Sequence, residues 1–214
     1  MHPNTQFRQT EASTALAFAA DQGFGVLMVP SVGLNASHIP FVLSDDATAL
    51  DMHLVRSNPL ARALTSNGAQ APALLAVQGP HAYISPDWYG VDDQVPTWNY
   101  VAVHLTGRLV ALDNDALRGS IDRLSTAFED RIAAQTGKTP WQSEKMSPDA
   151  LAGMMKAIRP FRFEIEAIDS TYKLSQNKPA IAVEGAMTGL RNSQVGNQLD
   201  QLIDLMGAAL DHKD

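Results

Sequence analysis

A succession of extended segments constrains the fold of this chain more than any other feature of the sequence. Residues 24–29 form a continuous apolar run, residues 49–55 alternate apolar with polar side chains, and residues 97–112 make the longest predicted strand. Similar patterns predict further strands over residues 36–43, 73–78, 82–85 and 161–168. Because short turns join most of these strands, the sequence predicts an antiparallel barrel.

Turn residues mark the connections between neighbouring strands. Gly33 and Asn35 predict a hairpin between the first two strands, and Gly79 and Pro80 predict a turn between two later ones. Pro40 indicates an edge strand or a bulge, because proline has no N–H to donate to a neighbouring strand.

Helical patterns flank and interrupt the strands. Helices are predicted over residues 12–20, 60–65, 113–134, 148–158 and 194–210. Asn58 and Pro59 suit the N-cap and the first position of the second helix, and residues 137–148 are expected to form a linker. The last helix is amphipathic and is expected to pack on the protein's own core. The predicted fold class is mainly β with helices (α+β).

Length and composition limit the classes of protein that this chain can be. A chain of 214 residues can bury a sizeable core, and we expect one domain over residues 1–214, with the barrel at about 23–172 and a helical extension at about 179–212. The 23 acidic and 16 basic residues give a net charge of −7, which disfavours direct DNA binding unless basic side chains gather on one face.

The absence of cysteine and of long apolar runs bears on the compartment. Without cysteine there is no disulfide framework and no thiolate nucleophile, which fits a cytoplasmic protein. No segment approaches the roughly 20 apolar residues that a membrane-spanning helix needs, so no membrane association is expected. The histidines lack metal-ligand spacing, and no metal site is expected.

Aromatic side chains are concentrated in residues 79–89 and 95–100, which hold Trp88, Trp98 and three of the 4 tyrosines. Rings beside hydroxyl and amide groups such as Asn99 suit a flat, partly polar ligand. A β-sheet core with turns explains the same residues without a ligand, and the residues alone leave both interpretations open.

A second candidate site precedes the helix start at Asn58, where His53, Arg56 and Ser57 stand close together in sequence. A guanidinium can hold a phosphate through two N–H groups, a hydroxyl can donate a further hydrogen bond, and the free N–H groups of a first helical turn point at the same place. The alternative is an ordinary capped helix with a solvated arginine.

Two further segments carry polar groups in patterns that could serve a ligand. Residues 36–41 alternate, so that Ser37 lies on one face of the predicted strand and His38 on the other. Residues 173–178 follow a predicted strand and could close over a phosphate or a polar ligand edge, whereas a solvated loop before Pro179 is the plainer account.

Five segments, taken together and in this order, resemble the PaiB-like family of FMN-binding negative transcriptional regulators. They are ASHIPF (36–41), HLVRSNP (53–59), GPHAYISPDWY (79–89), VPTWNY (95–100) and KLSQNK (173–178). The resemblance extends from the first residue to about Arg191, and GPHAYISPDWY and VPTWNY are its most specific motifs.

The resemblance implies a split β-barrel of the pyridoxamine phosphate oxidase type with peripheral and C-terminal helices, and a homodimer with FMN at the subunit interface. The residues that it places near FMN, and chiefly near the phosphate, are Ser37, His38, His53, Arg56, Ser57 and Asn58. It places Trp98, Asn99 and Tyr100 beside the flavin ring. Lys173, Ser175 and Gln176 would close the site from another part of the chain or from the partner subunit.

The family implies negative regulation of transcription, but the sequence shows no helix-turn-helix and no basic stripe. A regulator that acts through a partner protein, or that senses flavin redox state, needs neither feature. A flavin-dependent oxidoreductase is the alternative function, because FMN itself supplies hydride chemistry. A haem-binding or haem-degrading split barrel ranks third, with His38, His53, His81 or His104 as the axial ligand. Catalytic residues cannot be named from the sequence.

Overall fold

The computed structural model describes residues 1–66 and 68–211. Its strands are β1 (Phe24–Met28), β2 (Ala36–Pro40), β3 (Val42–Leu43), β4 (Ala49–Val55), β5 (Gln70–Ile84), β6 (Thr97–Ala111), β7 (Ile158–Lys173) and β8 (Gly196–Asn197). Its α-helices are α1 (Ala12–Gln22), α2 (Pro59–Ala63), α3 (Leu117–Thr136), α4 (Pro148–Met155), α5 (Ala180–Arg191) and α6 (Leu199–Asp211). None of the helices in these described residues is both long enough and apolar enough to cross a bilayer.

The described residues divide into two compact units. Unit 1 is drawn from Met1–Ala17, Val77–His104 and Asp169–Asp214, and unit 2 from Phe18–Ala76 and Leu105–Ile168. The boundaries between them fall within α1, β5, β6 and β7. The single domain expected from the sequence stays a prediction.

Hydrogen bonding orders the strands as β2-β1-β5-β6-β7-β4-β3, and β8 pairs with β5. The pairings of β1 with β2 and β5, of β4 with β3 and β7, and of β5 with β8 are antiparallel. The predicted hairpin is confirmed, because Met28 pairs with Ala36 and Gly33 in the loop has a φ of 83°, which glycine adopts without strain. The mainly β fold with helices is also confirmed.

The turn predicted at Gly79 and Pro80 is wrong, because both residues lie inside the continuous strand β5. Leu74 to Ala76 pair with β1, and β8 pairs with β5 from His81 onward. Pro80 falls in sequence between these two pairings, where its missing N–H interrupts neither of them. Glycine and proline are typical of turns, but the strand pairing allows β5 to continue through both residues.

The single strand predicted over residues 36–43 is interrupted at Phe41. Before it, β2 pairs with β1, and after it, β3 pairs with β4. Phe41 is buried, and its N–H donates to the carbonyl oxygen of Gly23 at 2.9 Å. The chain therefore changes its pairing partner at this residue, which no alternation of side chains could reveal.

Helix α5 lies within the helical extension expected at about residues 179–212, although no separate helix was predicted over its own residues. Gly185 and Gly189 lower its helix propensity, yet both are required by close packing. A Cβ at Gly185 would lie 2.1 Å from the Trp88 carbonyl oxygen, and one at Gly189 would lie 2.2 Å from the Trp88 ring. Gly185 and Gly189 therefore weaken the helical signal in the sequence, but they also allow α5 to pack against Trp88.

Several predicted boundaries are also corrected by the structure. Strand β7 covers Ile158–Lys173 rather than residues 161–168, and its first seven residues pair with β4. Because this long-range pairing extends β7 back to Ile158, α4 ends at Met155 rather than at residue 158. Helix α6 begins at Leu199, five residues later than predicted, because Gly196 and Asn197 form β8.

Unit 2 is centred on a buried carboxylate. Asp51 on β4 is 1% exposed, and its Oδ1 accepts a hydrogen bond from Arg162 Nε at 2.9 Å. Arg123 on α3 donates to the other carboxylate oxygen, Oδ2. Because a buried carboxylate is costly unless it is paired and hydrogen-bonded, the two arginines allow Asp51 to lie in the core and connect the helix to the sheet.

Replacing Gly107 by alanine is expected to destabilise the protein. A Cβ at this buried position of β6 would lie 1.9 Å from the backbone carbonyl oxygen of Glu164, which cannot move without displacing β7. We expect Gly107→Ala to lower the free energy of unfolding by about 3 kcal/mol, measured by urea denaturation.

Gly153→Ala is the matched control. No atom lies within 4 Å of a Cβ at Gly153, which stands in the exposed helix α4. This substitution should raise the free energy of unfolding by about 0.5–1 kcal/mol. Equal stability of the two variants would contradict the close approach at Gly107.

Candidate functional site

In unit 2, Asn58 links the start of α2 to strand β2. Its Oδ1 accepts a hydrogen bond from the Leu60 N–H at 2.9 Å, which confirms it as the N-cap residue. Its Nδ2 donates to the buried Ser37 hydroxyl at 2.9 Å. The structure thus brings together two residues of the predicted site that are separated in sequence by two strands, β3 and β4.

Arg56 lies beside this cap and is held by polar groups of the same unit. Its Nε donates to the Lys156 carbonyl oxygen at 2.9 Å, and its Nη2 donates to Asn114 Oδ1 at 2.8 Å. Two of its five N–H donors are therefore used within the protein. An anion at Arg56 would bind through the others, and its role as a phosphate ligand stays a prediction.

The two histidines of the predicted site differ in their surroundings. His38 is exposed on the opposite face of β2 from Ser37, and its ring stacks on Phe24 with 6.3 Å between centroids. His53 on β4 is half-buried, and its Nδ1 has no hydrogen-bond partner among the described residues. Burial lowers the pKa of His53 below its ordinary value, so the ring is neutral at pH 7. Ser57 is exposed in the turn before α2.

In unit 1, Asn99 and Ser175 form a fully buried polar pair. Asn99 Nδ2 donates to Ser175 Oγ at 2.8 Å, and the two side chains are 0% and 3% exposed. Met206 Sδ on α6 also accepts from the same amide, at 3.5 Å. Ser175 has a φ of 62°, in the left-handed region that non-glycine residues rarely adopt.

A cavity of about 160 Å³ opens beside this pair. Its lining comprises Asn4, Phe7, Tyr89, Val95, Thr97, Asn99, Lys173, Ser175, Asn177 and Lys178. We call it the lysine pocket. Lys173 Nζ donates to Thr97 Oγ1, and Lys178 Nζ donates to Gln94 Oε1. The Tyr89 side chain is 1% exposed, and its hydroxyl has no hydrogen-bond partner among the described residues.

The three consecutive residues predicted to border a flavin ring do not share one surface. Asn99 points into the core beside the lysine pocket, whereas Trp98 is 46% exposed and Tyr100 is half-buried. Successive side chains of a strand point to opposite faces, so β6 separates Asn99 from its two neighbours. Trp98 lies edge-on to Tyr83, with 6.1 Å between the ring centroids.

Gln176 shapes the loop after β7. Its Oε1 accepts from the Leu174 N–H at 2.7 Å, and its Nε2 donates to the Tyr172 carbonyl oxygen at 2.5 Å. It also lines a second cavity of about 420 Å³ in unit 1, together with Gln6, Phe7, Gln9, Thr10, Tyr172, Leu174 and Ala209. Its amide is thus largely engaged with the backbone of its own loop.

Sequence reasoning did not name several residues of the lysine pocket as candidates. Asn4 and Phe7 come from the N-terminal segment, and only the tertiary structure brings them beside residues 173–178. Tyr89 stands within the motif GPHAYISPDWY, and Lys178 stands within residues 173–178, a segment that the sequence allows to close over a phosphate or to form a solvated loop. The motifs therefore contained both residues, but the sequence did not show which side chains of each motif line a cavity.

Two solved structures define the class of fold. The FAD and haem binding protein of Mycobacterium smegmatis superposes with a TM-score of 0.55 at 17% identity, covering 89% of this chain and 82% of that one. The conserved protein Rv2991 of Mycobacterium tuberculosis gives a TM-score of 0.52 at 14% identity, with coverages of 84% and 94%. These likenesses confirm the split β-barrel fold predicted from the sequence.

Sequence comparison then identifies the family. A family profile described as "Putative FMN-binding domain" matches residues 1–167. Protease synthase and sporulation protein PAI 2 of Bacillus subtilis (strain 168) is 32% identical over 203 residues, which cover 94% of this chain and 93% of that protein. An uncharacterized protein of Aspergillus fumigatus is 28% identical, with coverages of 84% and 85%. The chain belongs to this FMN-binding domain family, and its resemblance to PaiB-like proteins is confirmed.

The depressed pKa of His53 predicts a dependence of stability on pH. Because burial holds the folded-state pKa below the ordinary value of 6.5, the unfolded chain takes up a proton first as the pH falls. The free energy of unfolding should therefore decrease from pH 7.5 through 6.5 until the folded-state pKa is reached. Urea denaturation at several pH values should show a shallower decrease for His53→Gln.

Nuclear magnetic resonance provides a direct check on the same prediction. The ring resonances of His53, assigned by their loss in His53→Gln, should titrate with a midpoint below 6.5. A midpoint at or above that value would contradict the effect of burial.

Proposed function

We propose that this protein binds FMN and acts as a negative transcriptional regulator of the PaiB type. The observation that carries the proposal is the match of residues 1–167 to an FMN-binding domain family. The 32% identity to PAI 2 of Bacillus subtilis over nearly the full length of both chains supports the PaiB-like role.

The residues present fit a flavin nucleotide in two respects. Buried polar groups normally have hydrogen-bond partners, yet His53 Nδ1 and the Tyr89 hydroxyl have none among the described residues. The lysine pocket offers ammonium, hydroxyl and amide groups, which are donors suited to phosphate oxygens. FMN, when bound, would supply hydride or electron transfer.

We assign the proposed cofactor contacts to one group of residues in each unit. In unit 2 the group is Ser37, His38, His53, Arg56, Ser57 and Asn58, and in unit 1 it is Trp98, Asn99, Tyr100, Lys173, Ser175 and Gln176. Neutral His53 could accept or donate one hydrogen bond through Nδ1, depending on its tautomer. Asn58 and Gln176 would act mainly by fixing the backbone around the cofactor, because their amides are already engaged.

We further propose a cytoplasmic homodimer that represses transcription without reading DNA itself. The net charge of −7 opposes binding to a phosphate backbone. Regulation through a partner protein, with the redox state of FMN as the signal, requires no basic surface. Exposed apolar side chains such as Phe24, Trp98 and Val195, which are 52%, 46% and 53% exposed, are candidates for burial in the dimer.

Flavin binding is tested by the visible absorption spectrum of the purified protein, recorded after adding excess FMN and passing the mixture through a desalting column. We expect flavin bands at a ratio near one FMN per chain, and weaker retention of FAD and riboflavin. Retention of FAD in preference to FMN would contradict the choice of cofactor. No retained flavin, with a Soret band after haem addition, would overturn the proposal in favour of the haem alternative.

The mode of regulation is tested by gel shift with DNA from the promoter upstream of the chain's own coding region. At physiological salt and micromolar protein, we expect no sequence-dependent shift, with or without bound FMN. A shift that survives an excess of unrelated competitor DNA would contradict partner-mediated repression and indicate direct operator binding.

A further inference from the structure

Helix α4 in unit 2 differs from the other α-helices of the described residues because it buries none of its side chains. Its sequence, PDALAGMM, is nevertheless mostly apolar, and Met154 is 64% exposed. A helix of 8 residues is too short to be stable through its own hydrogen bonds, so its stability depends on packing. A short, apolar and exposed helix indicates a surface that is covered in the assembled protein.

One face of α4 carries a charge at each end and small residues between them. Asp149, Ala152, Gly153 and Lys156 stand at spacings of three and four residues, which places them on the same side of a helix. Lys156 is the C-cap residue and keeps helical backbone angles. All four residues are exposed, so this side of α4 faces away from the core of unit 2.

Neither charge on this face is neutralised by another part of the chain. Asp149 and Lys156 form no ion pair among residues 1–66 and 68–211, whereas Arg108 pairs with Glu166 in the same unit. The two cannot pair with each other, because seven residues of helix separate them by about 10 Å. Both charges are therefore available to a second molecule.

The order of these residues makes the face complementary to itself. When two copies of α4 run antiparallel about a two-fold axis between residues 152 and 153, Asp149 of each copy faces Lys156 of the other. Ala152 then meets Gly153, and their small size allows the helix axes to approach to about 8 Å. Alanine in place of Gly153 would keep this property. Antiparallel packing also places the positive end of each helix dipole beside the negative end of the other.

We propose that α4 pairs with α4 of a second copy of this chain, through two Asp149–Lys156 ion pairs related by the two-fold axis. The inference rests on the homodimer proposed above and names one of its surfaces. A pair of helices of this length covers less than the roughly 800 Å² per partner of a standard interface, so α4 contributes part of the contact.

Disulfide cross-linking tests the pairing directly, because the sequence contains no cysteine. Full-length Asp149→Cys and Lys156→Cys are mixed in equal amounts, incubated under reducing conditions for subunit exchange and then oxidised. We expect a cross-linked dimer, because residue 149 of one copy faces residue 156 of the other. Each variant alone should cross-link at least about tenfold less, since two copies of one position lie about 10 Å apart along the helices, beyond the roughly 7 Å limit between the Cα atoms of a disulfide.

Asp45→Cys provides the matched control for chance collisions. Asp45 is exposed in the loop between β3 and β4, outside α4. Its mixture with Lys156→Cys should give only the background amount of cross-linked product.

Charge reversal separates ion pairing from a structural role of the helix. Asp149→Lys and Lys156→Glu should each raise the dissociation constant of the dimer by about tenfold in analytical ultracentrifugation, because two attractive pairs become repulsive. The double variant restores both pairs and should dimerise within about threefold of the unmodified protein, as should the control Asp45→Lys. Each substitution in α4 opposes the helix dipole, so damage to the helix alone would make the double variant the weakest dimer, which would overturn the proposal.

The Lys156 substitutions leave the neighbouring candidate site intact. Arg56 Nε donates to the backbone carbonyl oxygen of Lys156 and not to its side chain, so this hydrogen bond survives the change of side chain.

The outcomes distinguish this inference from the proposed dimer. If the unmodified protein sediments as a monomer at every concentration, the proposed homodimer fails and the pairing of α4 fails with it. If the protein is a dimer but the cysteine mixture gives no more product than the Asp45→Cys control, α4 lies outside the interface and this inference alone is overturned. A cross-link formed equally well by Asp149→Cys alone would indicate parallel helices and would also overturn it.

Discussion

The structure depends on a single constraint, which is that polar groups removed from water must find partners inside the protein. Asp51 lies in the core of unit 2 because two arginines reach it, one from α3 and one from β7. Asn99 lies in the core of unit 1 because Ser175 satisfies its amide. Each such pair joins elements that are far apart in sequence, so satisfying the polar group also fixes the arrangement of the elements.

The same constraint distinguishes structural polar residues from candidate ligand residues. Asn58, Gln176 and, in part, Arg56 use their polar atoms to hold local backbone or neighbouring side chains. His53 Nδ1 and the Tyr89 hydroxyl are buried and unsatisfied among the described residues. Polar side chains of the first kind stabilise the fold, and those of the second kind support the cofactor contacts proposed above.

The cationic side chains also differ in the groups that they contact. Arg123 and Arg162 neutralise a buried carboxylate, and Arg8 pairs with Asp169 at 2.9 Å. Lys173 and Lys178 instead line a cavity of unit 1, where they donate to Thr97 Oγ1 and Gln94 Oε1.

The sequence by itself determined most of the strands and helices, the hairpin at Gly33, the cap at Asn58 and the family, because these depend on local periodicity, turn chemistry and contiguous motifs. It did not predict the continuity of β5 through Pro80, the change of partner at Phe41 or the bounds of α5 within the helical extension, because long-range pairing and close packing against Trp88 decide them. The candidate site shows the same division. The motifs contained Asn99, Lys173 and Ser175. Only the tertiary structure separated Asn99 from Trp98 and Tyr100, and only it placed Phe7 and Tyr89 at the same cavity. The physical reason is that the packed fold decides side-chain direction and non-local contacts.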